Sequence, residues 1–319
     1  MRTRASGWLY GAVLGIVLAL TLAGGATSHA AHWPDQVLRG ITIESRQQSA
    51  ATIEAVKALR TKPTLRLVTH LEETPENWRE LVMGLDPHAQ IMMTILDSTQ
   101  MKLLSAAQIS DRTQAFVNAF RDQVDIWEIG NELNGEWVGS GPAEINAKVV
   151  AAARVVEAAG ERTAITLNYW SSPNCYSQGW EEPRSYVKTI PGEVMAKLDL
   201  LMLSVYETAC RPIQQPSAQD LATMLADLGA AAPQAMLGIG EIGAQGEEDK
   251  DDDNDFSDPT LAEKQRIAQR YMSMQPELSR RLGTRFVGGW FWWYFVRDAV
   301  PHTSAGSLWP TLNRLLASL

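Results

Sequence analysis

From Val37 onward the chain alternates short apolar runs with stretches whose apolar residues recur every three or four positions. A strand buried on both faces reads as a near-continuous apolar run, and a helix that covers it shows one apolar stripe, so the alternation predicts a parallel sheet wrapped by helices. The runs place strands at Leu38 to Glu44, Thr64 to Thr69, Gln90 to Leu96, Val124 to Ile129, Ala164 to Tyr169, Leu200 to Tyr206, Met236 to Glu241 and Val287 to Trp293. Eight strands with helices between them predict the α/β class and, within it, a (β/α)8 TIM barrel.

The helices announce themselves by their ends. Thr74-Pro75-Glu76 reads as an N-cap, a first-turn proline and an acidic first turn, with Trp78, Leu81, Val82 and Leu85 on one face. Similar stretches predict helices over Ala147 to Ala159, Ala218 to Leu228 and Leu261 to Met274, and Trp309-Pro310 opens a last one to Leu319. No internal repeat or interdomain linker interrupts the pattern. A barrel of this kind takes roughly 250 residues, so the chain of 319 is read as one domain, residues 31–319, behind an N-terminal leader.

That leader, residues 1–30, has Arg2 and Arg4, an uncharged run from Trp8 to Ala23, and Ser28-His29-Ala30 before Ala31. A basic start, an apolar middle and a small-x-small end predict a signal peptide and an exported protein, periplasmic or secreted. The apolar run is long for a signal, which keeps an uncleaved inner-membrane anchor as the alternative. Cys175 and Cys210 are the two cysteines, and in an oxidising compartment an even pair predicts a disulfide. They fall in the loops after the fifth and sixth strands, where a bridge would brace one rim of the barrel mouth.

Composition narrows the partner. A formal charge of −9 argues against nucleic acid and suits an uncharged carbohydrate. Eleven Trp supply flat faces on which sugars stack, although many must simply fill the core. The acidic run EEDKDDDNDFSD at 247–258 has D-x-D spacing but lacks the Gly and closing Glu of a calcium loop, so it is read as a solvated loop. No His/Cys/Asp cluster has zinc-ligand spacing and no Ser sits in a nucleophile elbow. The chain is therefore expected to act without metal or cofactor, as a monomer.

The candidate chemistry lies at two strand ends. In VDIWEIGNELNGEWVG, residues 124–139, an apolar strand passes through Gly130 into Asn131-Glu132; in MLGIGEIGAQG, residues 236–246, Glu241 ends a second apolar, Gly-rich strand. A parallel barrel carries its reacting groups at the C-terminal ends of its strands, and two carboxyl groups facing each other are the equipment of glycoside hydrolysis. Singly, Asn-Glu after a strand is commonly a helix N-cap and a Glu in a Gly-rich turn is commonly solvated. Together, at the fourth and seventh strands, they favour chemistry. Glu128, two residues before Gly130, is expected either to pair with a basic group inside the barrel or to stay protonated there. Glu136 is placed on the following loop with Trp137, within reach of a sugar hydroxyl or of solvent, and His70 and His302 follow strands, where a surface position is favoured over one lining the cleft.

These residues resemble the clan A glycoside hydrolases, barrel enzymes with catalytic glutamates at the ends of strands four and seven. The resemblance implies Glu132 as acid/base, Glu241 as nucleophile, and Asn131 as the residue that holds the sugar 2-hydroxyl. Arg66 in TLRLVTH is similar to the clan's arginine beside the nucleophile, and Tyr206, which closes LMLSVYE, to its tyrosine; Ser204 stands where many members have His. NELNGEW is similar to the His-Glu-Met-Asn-Gly-x-Trp motif of one mannanase family, with Asn131 in place of its His, and brings Trp137 to the site. GGWFWWYF on the last strand would supply the sugar platform. Strict alternation puts Trp290 and Trp292 on one face and Trp293 on the other, and points to Trp292. The expectation is an exported retaining β-glycoside hydrolase acting by double displacement on a neutral poly- or oligosaccharide, of the cellulase, mannanase or glucanase kind. Its rival is a barrel that binds glycan without cutting it, as an accessory to polysaccharide export; the intact carboxylate pair favours the enzyme.

Overall fold

A computed structural model describes residues 37–245 and 259–319. The expected leader and the acidic run at 247–258 lie outside the described residues. The eight strands are β1 (Leu38–Ile43), β2 (Thr64–Val68), β3 (Gln90–Thr94), β4 (Ile126–Gly130), β5 (Thr163–Asn168), β6 (Leu200–Val205), β7 (Met236–Ile242) and β8 (Phe286–Trp292). They pair in sequence order, all parallel, and β8 closes on β1 to complete the barrel. Every predicted strand is present, with its ends moved by no more than a few residues.

The helices follow from local chemistry. Pro75–Leu85 starts with the reciprocal Thr74–Asn77 capping box and buries Trp78, Leu81, Val82 and Leu85, as the pattern predicted. Pro142–Ala158 begins earlier than expected, because Pro142 opens the helix behind Gly141. Ser49–Lys57 and Ala106–Phe120 are helices the pattern did not delimit, although Ser105 and Gln108 form a capping box that marks the start of the second. Met272 ends the helix expected to run to Met274, and Gln275–Leu282 follows as a separate one. Among the described residues no helix is long and apolar enough to cross a membrane.

The barrel interior is layered. Leu38, Met92, Ile126, Ala164, Leu200, Met202, Val287 and Phe291 form an apolar cluster of their own, separate from the larger core that includes Trp78, Phe116, Phe120 and Leu225. Side chains two apart on a strand share a face. Stepping two residues from the apolar cluster therefore reaches Thr94 from Met92, Glu128 from Ile126, Thr166 from Ala164 and Ser204 from Met202. The same strands thus carry an apolar floor and, nearer their C-terminal ends, a polar layer.

β8 departs from regular strand geometry. Gly288, Gly289 and Trp290 have φ of 83°, 99° and 57°, and the register shifts on both flanks, against β1 and β7. Above the barrel, Cys175 and Cys210 form the expected disulfide, with Cα atoms 5.8 Å apart, joining the loops after β5 and β6.

The β8 distortion yields a stability test. A Cβ on Gly289 would lie 2.3 Å from the Ile239 carbonyl oxygen, a backbone atom of the neighbouring strand that cannot swing aside. Gly289→Ala should therefore cost about 2–5 kcal/mol, from left-handed strain and overpacking together. Gly160 has φ +77° but open space around it, so Gly160→Ala should cost only about 1–2 kcal/mol. Thermal midpoints of the two variants check the order; equal losses would contradict it.

Candidate active site

The site is built around a buried cation. Arg66 on β2 is fully buried, and its guanidinium serves two carboxylates. Nε and Nη2 donate to the two oxygens of Glu128 at 2.7 and 2.9 Å, while Nη1 donates to Glu241 Oε1 at 2.7 Å. Thr94 and Thr166 also donate their hydroxyls to Glu128, one to each oxygen. Of the two roles open to Glu128, the structure shows pairing with a base. Four donors saturate it and leave it no free face for substrate.

Glu241 is held from three sides. Besides Arg66 it accepts the Tyr206 hydroxyl at 2.9 Å, and the Ser204 hydroxyl lies 3.4 Å from Oε2. Burial pushes its carboxyl up to about 8, against the lowering influence of Arg66 and with the charges of Glu132 and Glu128 adding to the rise. Tyr206 is raised well above the usual phenol range, first by burial and then by the Glu241 charge.

Glu132, just past β4, has φ 49°, a left-handed conformation uncommon for a residue with a side chain. Its Oε1 accepts the Ser204 hydroxyl at 2.7 Å and its Oε2 the Ser98 hydroxyl at 3.2 Å; Trp137 Nε1 in turn donates to Ser98 at 3.2 Å. Burial raises this carboxyl too, partly offset by Ser204, Arg66 and Ser98. The β6–β7 register pairs Ser204 with Glu241 directly, next to a shift at Leu203, which brings the serine between the two glutamates.

These groups open into a cleft of ≈ 900 Å³ at the C-terminal mouth. Glu132, Glu241, Tyr206 and Trp137 line it. Asn131 does not line it: the side chain is buried, and its Oδ1 has no hydrogen-bond partner. The platform assignment is corrected. Trp292 is fully buried and donates Nε1 to Asp298 at 3.0 Å, whereas Trp293 lines the cleft with the Arg66 guanidinium 5.1 Å from its ring centroid. The two-residue repeat itself holds: Trp290 and Trp292 both lie in the larger core and Phe291 in the barrel interior, so Trp293, two residues on from Phe291, reaches the cleft, and the Trp292 choice took the wrong face. His70, expected at the surface, stands on the cleft wall, while His302 packs against Trp309 elsewhere. Glu136 is exposed and outside the cleft.

Other lining residues escaped the sequence reading. Asp97 follows β3 and accepts the Thr99 amide at 2.9 Å, and Trp170 follows β5 and meets Trp137 edge-on at 6.3 Å. Tyr176, next to the disulfide, accepts the Trp170 amide and donates to its carbonyl. Position just beyond a strand end was the signal available for both Asp97 and Trp170.

Searches with the sequence found no matching family model and no curated relative. Comparison of the fold did find similar solved structures. A beta-glucosidase from Thermotoga maritima, in complex with a methoxycarbonyl-substituted glucoimidazole, superposes with a TM-score of 0.56 at 12% identity, over 78% of this chain and 77% of that one. The AHE enzyme from Alicyclobacillus herbarius gives 0.55 at 12% over 92% and 91%, and a beta-glucosidase from Exiguobacterium marinum gives 0.54 at 13% over 77% and 78%. The chain shares their barrel fold.

The buried cation has a measurable consequence. Arg66→Met would leave Glu128 and Glu241 without it, and breaking a buried ion pair from one side costs about 3–5 kcal/mol. A carboxyl whose folded pKa is raised stabilises fully below its unfolded pKa of about 4.3, and that contribution is lost as pH rises through the folded value. With Glu241 at about 8, the thermal midpoint of the intact protein should fall from pH 5 to pH 8. It should fall more steeply in Arg66→Met. Equal losses at both pH values would contradict this account of the cluster.

Proposed function

We propose that the chain is a retaining β-glycoside hydrolase acting on a neutral poly- or oligosaccharide. The observation that carries the reading is the bridge at Ser204, whose hydroxyl reaches Glu132 at 2.7 Å and Glu241 at 3.4 Å. Laid end to end, these two distances fall short of the roughly 6.5 Å at which the carboxyl pairs of inverting enzymes begin. That sum is an upper bound on the separation of the two bonded oxygens, and it supports direct attack on the sugar over activation of an intervening water. The likeness to barrels that include beta-glucosidases supports the same chemistry.

In this reading Glu241 attacks the anomeric carbon as Glu132 gives its proton to the departing glycosidic oxygen. Arg66 and Tyr206, both donors to Glu241, favour its ionised form. Glu132, now ionised, then takes a proton from the water that hydrolyses the glycosyl-enzyme. Trp293, Trp137 and Trp170 supply aromatic faces in the cleft, and its carboxylates suit an uncharged sugar rather than an anionic one. The protein is proposed to work as a monomer, with residues 1–30 directing export; the disulfide between Cys175 and Cys210 supports an oxidising destination, periplasmic or extracellular.

Azide separates the two carboxyl roles. Glu132→Ala should lose about 10²–10⁴ in kcat/KM on glycosides with poor leaving groups and far less on activated aryl β-glycosides. With the activated substrates it should accumulate glycosyl-enzyme, which azide releases as the β-glycosyl azide. Glu241→Ala should form no covalent intermediate, and azide entering the vacated side should give the α-azide. The anomeric configuration of each product, read by NMR, is the measurement; swapped anomers, or no rescue of either variant, would overturn the assignment.

A further inference from the structure

Glu132 and Glu241 are joined by a single hydroxyl on a strand that carries neither of them. Ser204 Oγ lies 2.7 Å from Glu132 Oε1 and 3.4 Å from Glu241 Oε2, is fully buried, and is set opposite Glu241 by the β6–β7 register. Ser98 makes a useful contrast. It also reaches Glu132, at Oε2, but its other contact is the Trp137 indole, and it has no bond to Glu241.

A hydroxyl can accept from one carboxyl while donating to another. When the two glutamates hold one proton between them, either arrangement of that proton leaves Ser204 correctly bonded on both sides. With the proton on Glu132, Oε1–H donates to Oγ and Oγ–H donates to Glu241. With it on Glu241, both bonds reverse. We propose that Ser204 is a positioning residue that stabilises the singly protonated pair and relays its proton between the two carboxyls, a role that rests on the assignment of Glu132 and Glu241 above. In the relay, one proton leaves Glu132 Oε1 for Ser204 Oγ as the hydroxyl's own proton passes to Glu241 Oε2, so serine ends neutral and one proton has moved. Once Glu241 is esterified, the hydroxyl turns wholly to Glu132 and donates to the carboxylate that must act as base.

The other charged or titratable groups around the pair are Arg66 on β2, His70 after it, Asp97 after β3, Glu128 on β4, Tyr206 and Arg211 after β6, and Tyr294 after β8. Of these, Arg66 and Tyr206 donate to Glu241. Arg66, Glu128 and Tyr206 are tied together on the Glu241 side by their own hydrogen bonds, which removing the serine hydroxyl does not touch.

The test is the pH profile of kcat/KM on a β-glycoside whose poor leaving group needs the acid's proton, using the full chain. A group that stabilises the singly protonated pair widens the bell, because it lowers the nucleophile's pKa and raises the acid's. Ser204→Ala should therefore narrow the bell from both sides, by about 0.5–1 pH unit per limb for one hydrogen bond lost. Ser98→Ala removes only a donor to ionised Glu132, so its alkaline limb should move up and its acid limb stay. Ser204→Thr, which keeps the hydroxyl, should restore the width, and Ser204→Val, matched to it in shape, should not; this pair decides the matter if the alanine variant fails to fold. An unchanged bell in Ser204→Ala, or the one-sided shift of Ser98→Ala, overturns the relay. Azide products of the wrong configuration from the Glu132 and Glu241 variants would overturn the underlying reading instead, so the two failures are told apart.

Discussion

Arg66 is the group on which the site depends. A guanidinium in the middle of a closed barrel cannot be hydrated, so carboxylates at hydrogen-bonding distance must compensate it. Glu128 takes two of its bonds and Glu241 a third, which ties β2, β4 and β7 together across the interior. Glu128 gives the cation a partner that cannot leave for substrate, since Thr94 and Thr166 occupy its remaining acceptor capacity. Glu241 is bound by one arm only and faces the cleft. One arginine therefore holds one carboxylate that is saturated and one that is open to the cleft.

The arrangement also explains the layering of the barrel. An apolar floor of Met92, Ile126, Ala164, Leu200, Met202 and Phe291 excludes water from below, and this makes each bond to Arg66 worth more than it would be in solvent. The same exclusion raises Glu241 and Glu132, so the floor that strengthens the anchor also favours the protonated form of both cleft carboxyls. Stability and reactivity are set by one packing layer, and a change in the floor would move both.

The strands were legible because β2 to β7 are buried on both faces and carry almost nothing but apolar residues, Gly and the few polar groups of the interior. The cleft carboxyls were legible for a related reason: Asn131-Glu132 and Glu241 interrupt apolar runs at their C-terminal ends, where burying a carboxyl needs a purpose. Arg66 stood out in the same way, as a charge inside TLRLV. Trp293 was not legible. Alternation separates Trp290 and Trp292 from Phe291 and Trp293 but does not say which face turns inward, and the run of six aromatics from Trp290 to Phe295 contains no polar residue to mark it. Asp97, Ser98 and Trp170 were missed because each lies just past a strand, where loop course rather than residue pattern decides what faces the cleft. The earlier start of the helix at Pro142 was in principle readable from the Gly141-Pro142 pair.

Serine at position 204 changes the electrostatics that this frame permits. A histidine there would add a titratable ring between two carboxyls, and when protonated it would offer Glu132 and Glu241 a second cation. Ser204 adds no charge: it leaves the Arg66 guanidinium bonded to Glu241 and offers both cleft carboxyls a neutral hydroxyl. Glu132, held in a left-handed backbone conformation and fixed through both carboxylate oxygens by Ser98 and Ser204, has little freedom to turn toward solvent. The strain at Glu132 and the small side chain at Ser204 therefore belong to one solution: each carboxyl is placed where the same neutral hydroxyl reaches it.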